Sequence, residues 1–168
     1  MNITLIGMSG AGKSYIGEKV AKELGLEFLD VDRTLLEPAR NMPLQRILDE
    51  LGDEKFMQWE EGVMVEATAG RDGLLVSTPG SVIFEQGAME HFRNISRVIY
   101  LQVPFCDIER RAVGERGIVG MGSKSLRELY DERAPLYEKY AHHTVDVGVL
   151  ELRQAVETLV DIARTRGS

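Results

Sequence analysis

Gly7-Met8-Ser9-Gly10-Ala11-Gly12-Lys13-Ser14 fits the pattern G-x-x-x-x-G-K-[ST], and this loop restricts the fold of the chain more than any other stretch. Before it, Ile3 to Ile6 is an apolar run of strand length, and residues 2–7 read as a buried strand. After it, Ile16, Val20 and Leu24 recur every fourth residue and mark one face of a helix that stops at Gly25. Glycines between a strand and a helix let the backbone turn tightly and aim successive N–H groups into one concavity, whose natural occupant is an anion. Lys13 adds a mobile positive charge suited to β- and γ-phosphates, Ser14 offers a hydroxyl to Mg²⁺, and the helix N-terminus contributes its partial charge. The alternative, a glycine turn with an exposed lysine, requires strand, loop and helix to agree for unrelated reasons.

Further along, Glu27 to Asp30 is a second short strand, and Asp32 is placed to cap a helix over Arg33 to Arg40. Leu44, Ile47, Leu48 and Leu51 share one side of a helix that Gly52 breaks, and another runs from about Asp53 to Ala69. Leu74 to Ser77 is a strand ending in the turn Thr78-Pro79-Gly80-Ser81, and Arg97 to Val103 is a fourth strand halted by Pro104. A helix over Phe105 to Val113, a glycine-rich loop over Gly114 to Gly122 and a helix through Leu126, Leu129 and Tyr130, disturbed at Pro135, come next. His143 to Val147 is a fifth strand, and Leu152, Val156, Leu159 and Ala163 mark a terminal helix. Strands alternating with helices predict an α/β fold, a five-stranded parallel sheet flanked by helices.

The 168 residues suit one domain, and 43% hydrophobic content builds a core without metals or disulfides. A net charge of -7 argues against nucleic acid as a partner, because binding a phosphate backbone needs a basic face. Cys106 is the only cysteine, so no internal disulfide forms; a small buried apolar residue is its expected role. With no signal peptide and no apolar stretch long enough to cross a bilayer, a cytoplasmic monomer without a membrane partner is the expectation. His142 and His143 have no partner at metal-ligand spacing and read as surface residues.

Asp30 and Asp32, two apart at the end of the second strand, point the same way beside the loop. A strand-end aspartate is commonly a helix cap, but beside a phosphate loop the pair also suits Mg²⁺ and an acceptor hydroxyl. From residue 3 to about residue 147 the chain resembles the shikimate kinase family. Phe28-Leu29-Asp30-Val31-Asp32 matches its F-x-D-x-D, and Gly52-Asp53-Glu54-Lys55-Phe56 its G-E-x-x-F-R-x-x-E segment. Leu129 to Glu138 is close to its L-x-x-x-R-x-P-L-Y-E.

The resemblance implies a P-loop fold like that of the nucleoside-monophosphate kinases, with a mobile lid at about 113–122, that moves the γ-phosphoryl of ATP to a hydroxyl of a small molecule. It assigns Gly10, Ala11, Gly12, Lys13, Ser14 and Tyr15 to the nucleotide, Ser14 and Asp30 to Mg²⁺, and Asp32 to the acceptor hydroxyl. Arg116 matches the lid arginine that covers the phosphates, Arg133 the arginine that grips the acceptor's carboxylate, and Gly80 the middle of the family's G-G-G turn.

Three departures fall on the acceptor side. Met57 stands where F-R-x-x-E has its carboxylate-binding arginine, although Glu60 remains. Pro79-Gly80-Ser81 replaces G-G-G, and Arg116-Gly117-Ile118-Val119 replaces R-P-L-L. Losing one member of a buried charged pair costs about 2–5 kcal/mol, roughly thirty-fold to several thousand-fold in affinity. The expectation is therefore a kinase whose acceptor has moved away from shikimate, with Met57 and Trp59 available as an apolar wall and a core position equally open to Trp59. Two other readings stand beside it: a genuine shikimate kinase in which Arg33, Arg40 or Arg46 replaces the missing arginine, and a nucleotide-binding regulatory module. The gluconate kinases share the loop but fit the paired aspartates and the Arg133 segment less well.

Overall fold

The structure is a computed structural model and describes residues 1–111 and 124–165. β1 (Ile3–Ile6), β2 (Glu27–Asp30), β3 (Leu74–Ser77), β4 (Arg97–Gln102) and β5 (His143–Asp146) form one sheet in the order β2-β3-β1-β4-β5. Every pairing is parallel, as the alternation of elements predicts. β1 lies at the centre with Leu5 opposite both Ser77 and Ile99, and all four of its residues are buried, which is why it reads as an unbroken apolar run.

Flanking the sheet are α1 (Lys13–Leu24), α2 (Glu37–Arg40), α3 (Leu44–Thr68), α4 (Gln86–Ile95), α5 (Phe105–Arg111), α6 (Leu126–Tyr140) and α7 (Leu152–Arg164). α3 carries the expected break, with Gly52 at φ 76°. α4 was not expected, although Ala88, Met89 and Phe92 bury one face of it at helical spacing. α6 runs on through Pro135 without ending. Pro135 and Asp131, the residue one turn earlier whose carbonyl the missing N–H would have met, are both exposed, so water can serve that carbonyl.

Two smaller expectations fail. Cys106 is exposed, one position into α5, and so is not a core residue. Asp30, not Asp32, caps the turn that follows β2: its Oδ1 accepts from the Arg33 N–H at 3.3 Å, and the chain first makes a wide helical turn over Val31–Leu36 before α2. Asp32 is thereby released from a capping role. His142 is at the surface as expected, with Nδ1 accepting the Val98 N–H at 2.9 Å. The expected lid at about 113–122 and Arg116 lie outside the described residues, among which no helix is long and apolar enough to cross a membrane.

Candidate active site

The carboxyl ends of β1, β2 and β3 open onto a cavity of about 610 Å³. Gly10, Gly12, Lys13, Ser14 and Tyr15 line it from the glycine loop, Asp30 and Asp32 from the end of β2, and Gly80 from the turn after β3. Parallel strands put their carboxyl ends on one edge, so residues far apart in sequence converge there.

Gly12 sits at φ 91°, a left-handed conformation that costs other residues dearly, and it starts α1 with no side chain bonded across its first turn. The first N–H groups of this 12-residue helix are thus left for an anion. Lys13, 8% exposed, donates to the carbonyls of Gly7 and Met8 at 2.7 and 2.8 Å, so its ammonium lies within the loop it serves. The Ser14 hydroxyl donates to Asp30 Oδ2 at 2.7 Å and lies 3.3 Å from the Ser77 hydroxyl. A hydroxyl and a carboxylate side by side are oxygen donors of the kind Mg²⁺ takes, and an uncapped helix start with a lysine suits a polyphosphate, so these residues fit both groups.

Ala11 is placed differently. Its side chain is in the core and its N–H bonds the Met8 carbonyl at 3.0 Å, shaping the loop from behind. Tyr15 lines the mouth of the cavity but is 61% exposed, with Lys19 Nζ 5.0 Å from its ring centre. Arg111, on α5, donates to the Gly10 carbonyl at 2.9 Å and ties the loop to that helix.

Gly80 is held from several sides. Its carbonyl accepts the Tyr137 hydroxyl at 2.6 Å, and a Cβ there would come within 3.0 Å of Arg133 Nη1 and 3.3 Å of the Ser9 nitrogen. Burial pushes the Tyr137 hydroxyl up to about 12, so it stays a donor. Arg133 is 1% exposed and its guanidinium stands 5.4 Å over the Phe84 ring. The arginine of the L-x-x-x-R-x-P-L-Y-E motif is therefore a buried residue behind the Gly80 turn, and not a surface one.

Met57 is half-buried, packs against the core and is not among the residues lining the cavity. Trp59 also packs there, edge-on to Phe56 at 5.8 Å, with the Arg40 guanidinium over its ring at 5.0 Å from the centre. Of the three arginines offered as replacements, Arg40 is thus occupied, Arg46 pairs with Glu50 on an exposed helix face, and Arg33 lines the cavity. Among the described residues no cluster of three or more histidine, cysteine and acidic groups is set to hold a metal by itself.

Sequence reasoning named Glu60 only as the acid its motif retains, and missed Glu85. Glu60 on α3 and Glu85 at the start of α4 are buried, and Ser81 donates its hydroxyl to Glu60 Oε1 at 3.2 Å. Nothing in the pattern of residues 82–96 singles out Glu85, because its burial depends on where α4 docks.

Known proteins resemble this chain in sequence and fold. The model of the family described as "Shikimate kinase" matches residues 9–164. The shikimate kinase of Francisella philomiragia is 32% identical over 162 residues, which cover 94% of this chain and 92% of that one. A solved structure of shikimate kinase from Acinetobacter baumannii in complex with shikimate superimposes with a TM-score of 0.86 at 28% identity, covering 96% of this chain and 92% of that one. A gluconokinase from Sinorhizobium meliloti, at a TM-score of 0.58 and 20% identity over 96% of this chain and 93% of that one, shares the fold alone. With its glycine loop, paired aspartates and buried motif arginine, this chain belongs to the shikimate kinase family.

Proposed function

We propose that the protein transfers the γ-phosphoryl group of ATP to a hydroxyl of a small metabolite other than shikimate. The observation that carries the transfer reaction is the gathering of Lys13, the Ser14–Asp30 pair and Asp32 on one cavity at the start of α1. ATP bound with Mg²⁺ supplies an activated phosphoryl group whose charge is partly neutralised by the metal. Lys13 and the first N–H groups of α1 hold the phosphates, and Ser14 and Asp30 hold the metal. Asp32, freed from capping, orients the acceptor hydroxyl and receives its proton, while Arg133, behind Gly80, anchors the acceptor's remote end. Arg116 is assigned by its family motif to the charge on the transferred group.

The altered acceptor rests on Met57. A thioether donates no hydrogen bond, so the carboxylate clamp offered by two arginines in the family is reduced to Arg133. One observation favours the second reading, a genuine shikimate kinase: Arg33 lines the cavity and carries a guanidinium. A screen of small hydroxy metabolites for ATP-dependent phosphorylation, with Lys13→Ala as control, separates them. The first reading expects a product from a metabolite other than shikimate that Lys13→Ala does not make. Shikimate as the preferred acceptor, with activity lost in Arg33→Ala, would establish the second.

A further inference from the structure

Glu37 lines the cavity together with Arg33, and the transfer chemistry above gives it no task. Four residues apart on an ordinary α-helix, an arginine and a glutamate would pair with each other. Here the wide turn over Val31–Leu36 intervenes. The Glu37 N–H bonds the Asp32 carbonyl five residues back, so Asp32, and not Arg33, stands one turn from Glu37 on the same face. Among the described residues, neither the Arg33 guanidinium nor the Glu37 carboxylate makes an ion pair or a hydrogen bond. Wide turns of this kind are frequent at functional sites, and this one leaves a cation and an anion open to the same cavity.

The position of these two groups decides what they can meet. Asp32 is the residue assigned to the acceptor hydroxyl, and Glu37 follows it by one turn, roughly 5 Å along the chain's axis there. A ligand held by its hydroxyl at Asp32 therefore turns the substituent on the adjacent carbon towards Glu37. A carboxylate only accepts, and its best partner is an ammonium. Arg33 follows Asp32 directly, with its backbone N–H fixed by Asp30 Oδ1 at 3.3 Å, and its guanidinium offers the planar pair of donors that matches a carboxylate. Phe28, two residues before Asp30 on the same face of β2, and Tyr15 line the cavity as well, so the charges stand in a walled cleft and not on an open surface.

Resting on the first reading above, a kinase whose acceptor is not shikimate, we infer that Glu37 and Arg33 form a subsite for the head of a β-hydroxy-α-amino acid. The hydroxyl meets Asp32, the ammonium on the adjacent carbon pairs with Glu37, and the carboxylate beyond it is gripped by the two prongs of Arg33. The rest of the molecule runs towards Gly80, where the anchoring role assigned to Arg133 suits a second anionic end. The subsite sets specificity because an analogue without the amine leaves Glu37 with no partner, and a site built to bond a group rejects the ligand that lacks it.

Calorimetry on the full chain, with Mg²⁺ and a non-hydrolysable ATP analogue present, tests this with 3-hydroxyaspartate, in both diastereomers, against malate. Malate has the same hydroxyl and the same two carboxylates but no amine, and shikimate serves as a third probe. At least one diastereomer should bind at least about tenfold more tightly than malate, a readout that uses the unaltered protein. Glu37→Gln should bring hydroxyaspartate and malate to nearly equal affinity, and Arg33→Ala should weaken both by about tenfold, since both carry the carboxylate. Equal affinities in the unaltered protein, no binding of either diastereomer, or a preference that survives Glu37→Gln overturns the subsite and leaves the kinase reading intact if the nucleotide analogue still binds. Shikimate binding more tightly than hydroxyaspartate overturns the altered acceptor and the subsite together. Failure to bind the nucleotide analogue at all overturns the kinase reading as well.

Discussion

The Ser14 hydroxyl donates to Asp30 Oδ2 at 2.7 Å, joining the last residue of the phosphate loop to the last residue of β2. The same aspartate uses its other oxygen to cap the following turn through the Arg33 N–H. One side chain thus stands at the position proposed for the metal and also supports the local fold, and the two duties can be separated by mutation.

Asp30→Asn keeps a cap, since asparagine caps as well as aspartate, but loses the charge that attracts a metal. It should raise the Mg²⁺ concentration needed for half-maximal transfer while leaving thermal stability nearly unchanged. Asp30→Ala should lose both, with an extra cost of about 1 kcal/mol from the cap. Metal titrations of activity beside melting curves measure the two effects; equal melting temperatures for the two variants would show that the cap is idle.

Lys13→Ala removes a charge from a position where phosphoryl transfer depends on charge stabilisation, and a loss of at least about a hundredfold in kcat is expected. The lysine's bonds to the Gly7 and Met8 carbonyls lie within its own loop, and the fold should survive their loss. Single-turnover kinetics with circular dichroism checks both parts.

Gly80→Ala would place a methyl group 3.0 Å from Arg133 Nη1 and 3.3 Å from the Ser9 nitrogen. The resulting shift should act on the acceptor, raising its KM at least about tenfold, because displacing an anchor by a fraction of an ångström is costly in an organised site. Gly62→Ala is the control: it lies within α3 with nothing inside 4 Å of the new methyl, and should gain up to about 1 kcal/mol of stability. An unchanged acceptor KM in Gly80→Ala would mean that the turn does not position the substrate.

Glu85 gives a stability prediction with a definite sign. Its folded value lies above its ordinary value of 4.5, so the native chain binds a proton that the unfolded chain gives up. Stability from this group is complete below about pH 4.5 and is lost as pH rises towards the folded value. Glu85→Gln, neutral throughout, should therefore melt progressively higher than the original protein between pH 5 and pH 8, by several degrees, at about 2–4 °C per kcal/mol for a chain of this size. Melting curves across that range test it, and a difference that is flat or shrinks with pH would contradict a protonated Glu85.

Much of this molecule is legible without coordinates where one local rule governs. β1 is a run of four buried residues, the glycine loop demands a backbone few residues adopt, and Gly52 breaks α3 by taking a left-handed backbone. What escaped depends on packing between distant elements. Ala88, Met89 and Phe92 carry a helical period, yet it is short and interrupted by polar residues. Asp30 and Asp32 are equivalent candidates as capping residues in sequence, and only the wide turn after β2 decides between them. Glu85 is an ordinary acid until α4 docks beside α3, and Tyr137, inside a recognisable motif, acquires its bond to Gly80 only through the approach of α6.

The most direct test of the altered acceptor is the kcat/KM for ATP-dependent phosphorylation of shikimate by the original protein and by Met57→Arg. Restoring a guanidinium to a carboxylate site is worth roughly thirty-fold or more, so a weak activity that Met57→Arg raises by that factor is the expected result. Turnover of shikimate by the original protein at about 10⁴ M⁻¹s⁻¹ or above, unimproved by Met57→Arg, would contradict the account.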